Sequence, residues 1–192
     1  MNKSEKFWDR QANSFDDQSE EPDLDTLKNV EHIQKYLDGG EIVLDYACGT
    51  GPVALALAGQ VQDVYALDIS ARMLAIAQRN ASERKIENIH FAQTTLFDKR
   101  YMPESFDMVF ALNILHLLEN PAEIILRINE LLKPGGIFIS SSGCLEEKGK
   151  FLGAFLNLLS KTGLTPRVNI FTISDLEAFI MNGNFQILES EK

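Results

Sequence analysis

The chain has 192 residues, 45% hydrophobic and 24% charged, which fits one globular domain long enough to bury a real core. Its 28 acidic and 18 basic residues leave a formal net charge of -10, which argues against an extended nucleic-acid-binding surface. No segment is apolar for long enough to span a bilayer, no signal peptide opens the chain, and Cys48 and Cys144 suggest neither a metal-ligand pair nor a disulfide framework, so a cytoplasmic setting is expected.

In chain order, residues 1–22 are polar with isolated aromatics at Phe7, Trp8 and Phe15, and read as a short helix packed over something apolar. Leu24, Leu27, Val30, Ile33 and Leu37 recur at helical spacing, and Asp38-Gly39-Gly40 stops that helix. Ile42 to Asp45 reads as a first strand. A tight turn with Gly49 and Gly51 and a helix-compatible run from Val53 to Ala58 follow. A second strand covers Asp63 to Asp68. Ser70 can cap a helix running to Ala81. Asn88 to Ala92 is a short third strand, and Phe106 to Leu112 is a fourth, apolar on both faces as a central parallel strand should be. A helix from Pro121 to Leu132 ends before Pro134-Gly135-Gly136, and Ile137 to Ser140 is a fifth strand. Beyond it, Lys150 to Lys161 reads as a helix and Thr162 to Asn169 as a loop. Ser174, a plausible cap, to Asn182 reads as a short helix, and Phe185 to Leu188 as a sixth strand.

Strands alternating with helices predict a parallel sheet with right-handed crossovers and helices on both faces. Ligands of such sheets bind beyond the carboxyl ends of the strands, where Asp45, Asp68 and Thr95 fall together. A glycine turn there lets a cofactor approach the backbone closely. The two acids suggest a nucleoside cofactor held between the first two strands, with Asp68 accepting hydrogen bonds from both ribose hydroxyls. Both also have plainer readings, the glycines as a tight turn and Asp68 as a solvated strand-end acid.

Four stretches resemble class I S-adenosylmethionine-dependent methyltransferases of the small-molecule type. They are Val43-Leu44-Asp45-Tyr46-Ala47-Cys48-Gly49-Thr50-Gly51, Leu67-Asp68-Ile69-Ser70-Ala71-Arg72-Met73-Leu74, Ser105-Phe106-Asp107-Met108-Val109 and Leu131-Leu132-Lys133-Pro134-Gly135-Gly136. The resemblance implies an α/β, Rossmann-like three-layer sandwich with a mostly parallel, doubly wound sheet. Because the chain stops soon after its sixth strand, the family's last antiparallel strand is expected to be missing. It implies one domain over residues 1–192: a helical lid (1–37), a cofactor-binding core (40–142) and acceptor-side elements (143–192). It also implies methyl transfer from S-adenosyl-L-methionine to a small-molecule acceptor by in-line displacement, leaving S-adenosyl-L-homocysteine, with no nucleic-acid or membrane partner.

On that resemblance the cofactor lies against Ala47, Cys48, Gly49 and Gly51, with Asp45 drawing its positive end. Ala47 stands where the family often has glycine, and Cys48 is a small packing residue rather than a nucleophile. Ile69 and Met73 wall the adenine or belong to the core. Thr95 replaces an acid that bonds the adenine amino group, a role the backbone of Thr95 and Leu96 could share. Ala111, Leu112 and Asn113 face the methyl-transfer zone, and Asn113 lacks the following Pro-Pro-aromatic of adenine- and glutamine-N-methylating enzymes. His116 is a general base for a hydroxyl acceptor or, as favoured, a histidine packed at a helix edge. Trp8 could shield the sulfonium and Arg10 meet the methionine carboxylate, or both could be lid packing and surface charge. Phe151 to Leu156 could line the acceptor pocket. His32 and His90 show no partner pattern, and no metal constellation is evident. The alternatives kept are a catalytically silent cofactor-binding scaffold and a nicotinamide oxidoreductase. Asp45 inside the turn and Lys133-Pro134-Gly135-Gly136 argue against the latter.

Overall fold

The computed structural model describes residues 3–16, 23–143 and 168–191. Its elements are α1 (Lys3–Asp16), α2 (Leu24–Gln34), β1 (Ile42–Tyr46), α3 (Pro52–Leu57), β2 (Asp63–Asp68), α4 (Ala71–Glu83), β3 (Ile89–Gln93), β4 (Phe106–Leu112), α5 (Pro121–Leu131), β5 (Leu132–Ser141) and α6 (Ile173–Asn182). The five strands form one sheet in the order β3-β2-β1-β4-β5, with every neighbouring pair parallel. The chain reverses direction across the sheet between β1 and β4, which places a crevice at their carboxyl ends. This is the expected Rossmann-like sandwich.

Side-chain alternation sorts the core into two layers. Val43, Val64, Ala66, Met108 and Phe110 face α2, α3 and α4, where Val30, Ile33, Ala54, Leu57 and Leu74 meet them. Leu44, Tyr46, Leu67, Val109 and Ala111 face the other way, toward Ile124, Ile125, Ile128 and Leu131 of α5 and the apolar side of α6. The helices start where the sequence supplies caps. Ser70 Oγ accepts from Met73 N at 3.2 Å, and Asp23 accepts from Thr26 N at 2.7 Å.

Two of the motifs behind the resemblance turn out to be structural at the opposite rim of the sheet. Asp107 accepts from Ile42 N at 2.9 Å and holds Lys133 Nζ at 2.8 Å, tying β4 to the starts of β1 and β5. Burial pushes the Asp107 carboxyl up, but Lys133 and the Ile42 N–H outweigh it and bring it below its ordinary value. The Lys133–Gly136 segment does not separate helix from strand as expected. β5 already begins at Leu132, and pairing jumps from Phe106↔Leu132 to Met108↔Ile137, so Lys133–Gly136 forms a bulge inside the strand. A Cβ at Gly136 would stand 2.9 Å from Lys133 O and 3.0 Å from Asp107 O, which explains the glycine.

Three further expectations are corrected. The sixth strand at Phe185–Leu188 is not formed: among the described residues these pair with no strand, although Phe185 packs on Phe138 with ring centroids 5.3 Å apart. An alternating apolar pattern gives strand propensity but supplies no partner for a ladder. The last helix is capped by Thr172 rather than Ser174, through a capping box with Asp175. α2 stops at Gln34, short of Leu37. The expected helix at Lys150–Lys161, most of the loop after it and the Phe151–Leu156 pocket wall lie outside the described residues. Among the described residues, no helix is long and apolar enough to cross a membrane.

Candidate functional site

Between β1 and α3 the chain turns through three left-handed residues in five: Ala47 (φ 61°), Gly49 (φ 57°) and Gly51 (φ 79°). Gly51 N donates to Cys48 O at 2.9 Å and closes the turn, while Cys48 N donates to Leu67 O at 2.9 Å and ties it to β2. The two glycines serve different ends. A Cβ on Gly49 would meet nothing within 4 Å, so this face of the turn is open. A Cβ on Gly51 would lie 3.2 Å from Ala77 Cβ, so that glycine lets the turn press against α4.

Asp68 braces the site. Its Oδ2 accepts from Gly49 N at 3.0 Å and its Oδ1 from Ser70 N at 2.7 Å, joining the β1–α3 turn to the β2–α4 turn. Burial raises its carboxyl above the ordinary value, against the pull of the N–H groups of Ser70, Gly49 and Ile69. Asp45 is more deeply enclosed, at 3% exposure, with the Ala54 N–H favouring its charge. Burial first, and the Asp68 charge second, push its carboxyl up to about 7. The same surroundings hold the buried Cys48 thiol protonated, which fits a packing residue and not a nucleophile. An electron-poor or cationic group placed at this turn would therefore relieve two crowded acids.

The other expected residues divide. Ile69 is half-buried and its carbonyl accepts from Gln93 Nε2 at 3.1 Å. Met73, at 3% exposure, packs with Ala12, Ile76 and Trp8 beneath α1. Thr95 is half-buried after β3, and its Oγ1 accepts from Phe97 N at 3.4 Å. Leu96 is a core residue whose carbonyl accepts from Arg127 Nε at 3.1 Å. Ala111 is fully buried in β4. Trp8 lies in the α1–α4 packing, and Arg10 is exposed. His116 follows β4 in a single 3-10 turn, Leu115–Leu117. Among the described residues, its Nδ1 and Ser142 Oγ are buried with no hydrogen-bond partner. Burial lowers the His116 pKa, so the ring is neutral near pH 7.

Two contributors were not visible in the sequence. Asp9 on α1 reaches 61 positions along the chain to accept from Ser70 Oγ at 2.6 Å, and also from Arg72 N at 3.3 Å, so α1 is latched onto the start of α4. Arg127 on α5 holds Leu96 O and, at 2.8 Å, Tyr101 O, which fixes the segment after β3. Sequence separation hides both, because nothing local marks either contact. His32 and His90, which show no partner pattern in the sequence, each meet an acid in the fold: His90 Nε2 lies 2.7 Å from Asp63 Oδ1, and His32 Nε2 3.5 Å from Glu191 Oε2.

A methyltransferase-domain family model matches residues 37–165. The ubiquinone biosynthesis O-methyltransferase of Idiomarina loihiensis is 36% identical over 114 residues, covering 57% of this chain and 46% of that protein. The chain spans no more than about half the length of the curated relatives it matches. Among solved structures, a chain of the Haloferax volcanii complex containing the Trm112 methyltransferase activator superposes with a TM-score of 0.75 at 19% identity, covering 95% of this chain and 77% of that one. Phosphoethanolamine N-methyltransferase 2 of Haemonchus contortus, solved with S-adenosyl-L-methionine, gives 0.66 at 23% identity, covering 82% and 36%.

Proposed function

The chain belongs to the methyltransferase-domain family of S-adenosylmethionine-dependent enzymes, and from that membership we propose that it transfers a methyl group to a small-molecule acceptor by in-line displacement. The observation that carries this reading is the open turn at Gly49, flanked by the buried carboxyls of Asp45 and Asp68 at the crossover of the sheet. When bound, S-adenosylmethionine supplies a methyl group already made electrophilic by the sulfonium. The protein's main task is then alignment and exclusion of water.

Within this proposal, Asp45 would face the cofactor's positive end, the backbone of Ala47–Gly51 would carry the methionine moiety, and Asp68 would offer its carboxylate to the ribose hydroxyls. Ile69, Thr95 and Leu96 border the adenine. Met73 supports that wall from beneath, and Ala111 bounds the reacting zone. α1, latched by Asp9 onto Ser70, covers this edge. For a hydroxyl acceptor, neutral His116 offers Nδ1 to take the proton that leaves with the new O–CH3 bond. The likeness to ubiquinone biosynthesis O-methyltransferases supports an oxygen acceptor in particular.

The test is to incubate the purified chain with methyl-labelled S-adenosylmethionine and a panel of phenols, catechols, amines and thiols. The proposal expects label on at least one acceptor and an equal yield of S-adenosylhomocysteine. Binding of the donor without transfer to any acceptor would overturn it in favour of a silent cofactor-binding protein.

A further inference from the structure

We propose that His32, Glu189 and Glu191 form a binding site for a divalent transition-metal ion of the Zn2+ type, which staples the C-terminal segment to α2. The inference stands apart from methyl transfer. One ligand atom from each of the three side chains lies within 4.8 Å of the other two. The ligands come from opposite ends of the chain. His32 sits in the last turn of α2, and the two glutamates alternate along an extended segment that belongs to no helix or strand.

The spacing leaves room for an ion between the partners. A charge-assisted hydrogen bond closes to about 2.7–2.9 Å. The His90–Asp63 pair does so at 2.7 Å and leaves no space. His32 Nε2 and Glu191 Oε2 stay 3.5 Å apart. Donors around a tetrahedral ion, each about 2.0–2.1 Å from it, stand roughly 3.4 Å from one another. The His32–Glu191 separation already has that value. The third ligand closes by rotation of Glu189, whose side chain is 52% exposed.

One imidazole and two carboxylates suit a borderline ion such as Zn2+ or Co2+, with water in the remaining position. Tyr36 supplies the outer support such sites need. Its hydroxyl stands beside Glu189 and Glu191 and offers Glu189 a donor once an ion is bound. Lys35 Nζ, 4.0 Å from Glu189, sits at the outer limit of an ion pair and is a weak competitor. The consequence is mechanical. The described residues after Gly183 make no ladder hydrogen bonds, and an ion would anchor them to the end of α2.

The experiment uses the full chain, free of any tag and stripped with a chelator. Zn2+ alone is titrated by calorimetry, Co2+ by visible absorbance, and the melting temperature is followed in both. One saturable site, a higher melting temperature and slower proteolysis of the C-terminal segment are expected. His32→Gln and Glu191→Gln should each abolish the site, and Tyr36→Phe should weaken it about tenfold. The glutamates are exposed, His32 and Tyr36 are half-buried, and circular dichroism checks that each variant is folded. Absence of saturable binding by the folded wild type, or binding undiminished in His32→Gln, would overturn the site.

Discussion

Replacing Asp45 by Asn should make the protein more stable at pH 8 and leave it nearly unchanged at pH 4. The carboxyl is held at about 7 against an ordinary 3.8, mainly by burial and then by the Asp68 charge. Between those two values the folded state binds the proton that the unfolded state has released. The contribution of this group to stability is therefore lost as pH rises through 7. The gap is about three units, each worth about 1.36 kcal/mol, so the ionised carboxyl costs about 4 kcal/mol at pH 8. About 2–3 kcal/mol of this difference falls between pH 5 and 8. Asparagine keeps the shape and an acceptor for the Ala54 N–H but cannot ionise. Urea unfolding of both proteins at intervals from pH 5 to 8 reads the difference directly, including the mutual repulsion with Asp68 that the substitution removes. A stability difference that does not change across this range would refute the claim that Asp45 is a crowded, desolvated acid.

Gly49→Ala and Gly51→Ala should separate the two glycines by urea unfolding. Both variants must hold alanine in a left-handed backbone at about 1–2 kcal/mol, but only the methyl group added at position 51 also presses on Ala77, so Gly51→Ala should be the more destabilised by about 1 kcal/mol or more. Arg127→Met removes the donors to the carbonyls of Leu96 and Tyr101 and should cost about 2–3 kcal/mol in the same assay; a loss under about 0.5 kcal/mol would show that the segment after β3 holds itself. Asp9→Ala unlatches α1, so trypsin should cut at the exposed Arg10 faster while global stability falls by only about 1 kcal/mol. An unchanged cleavage rate would mean that the Trp8 and Ala12 packing alone secures the helix.

Much of this architecture is written locally. Phe106–Leu112 is apolar on both faces and flanked by turns, so its bounds are legible; Ser70 announces α4 by its cap. The glycine turn and the acids at the ends of two strands are local signals too, which is why Asp45, Gly49 and Asp68 can be picked out in advance. The failures share another origin. Pro134-Gly135-Gly136 reads as a turn, yet Asp107 and Lys133 across the sheet keep it inside β5 as a bulge. Phe185–Leu188 has a strand's pattern but no neighbour to pair with. The Thr172 cap was legible in principle, since Asp175 follows at the capping-box spacing, but Ser174 offered a competing start. Asp9, Arg127 and the partners of His32 and His90 depend on tertiary proximity that no local pattern encodes.

The central claim is that the turn at Gly49 and the carboxyls of Asp45 and Asp68 receive the adenosyl cofactor. Calorimetric titration of S-adenosylhomocysteine into the purified chain and its Asp68→Asn variant tests this most directly. One-to-one binding by the wild type, weakened about tenfold to a hundredfold in a variant with an unchanged circular dichroism spectrum, is the predicted result. A folded wild-type protein that binds neither S-adenosylhomocysteine nor S-adenosylmethionine would contradict it.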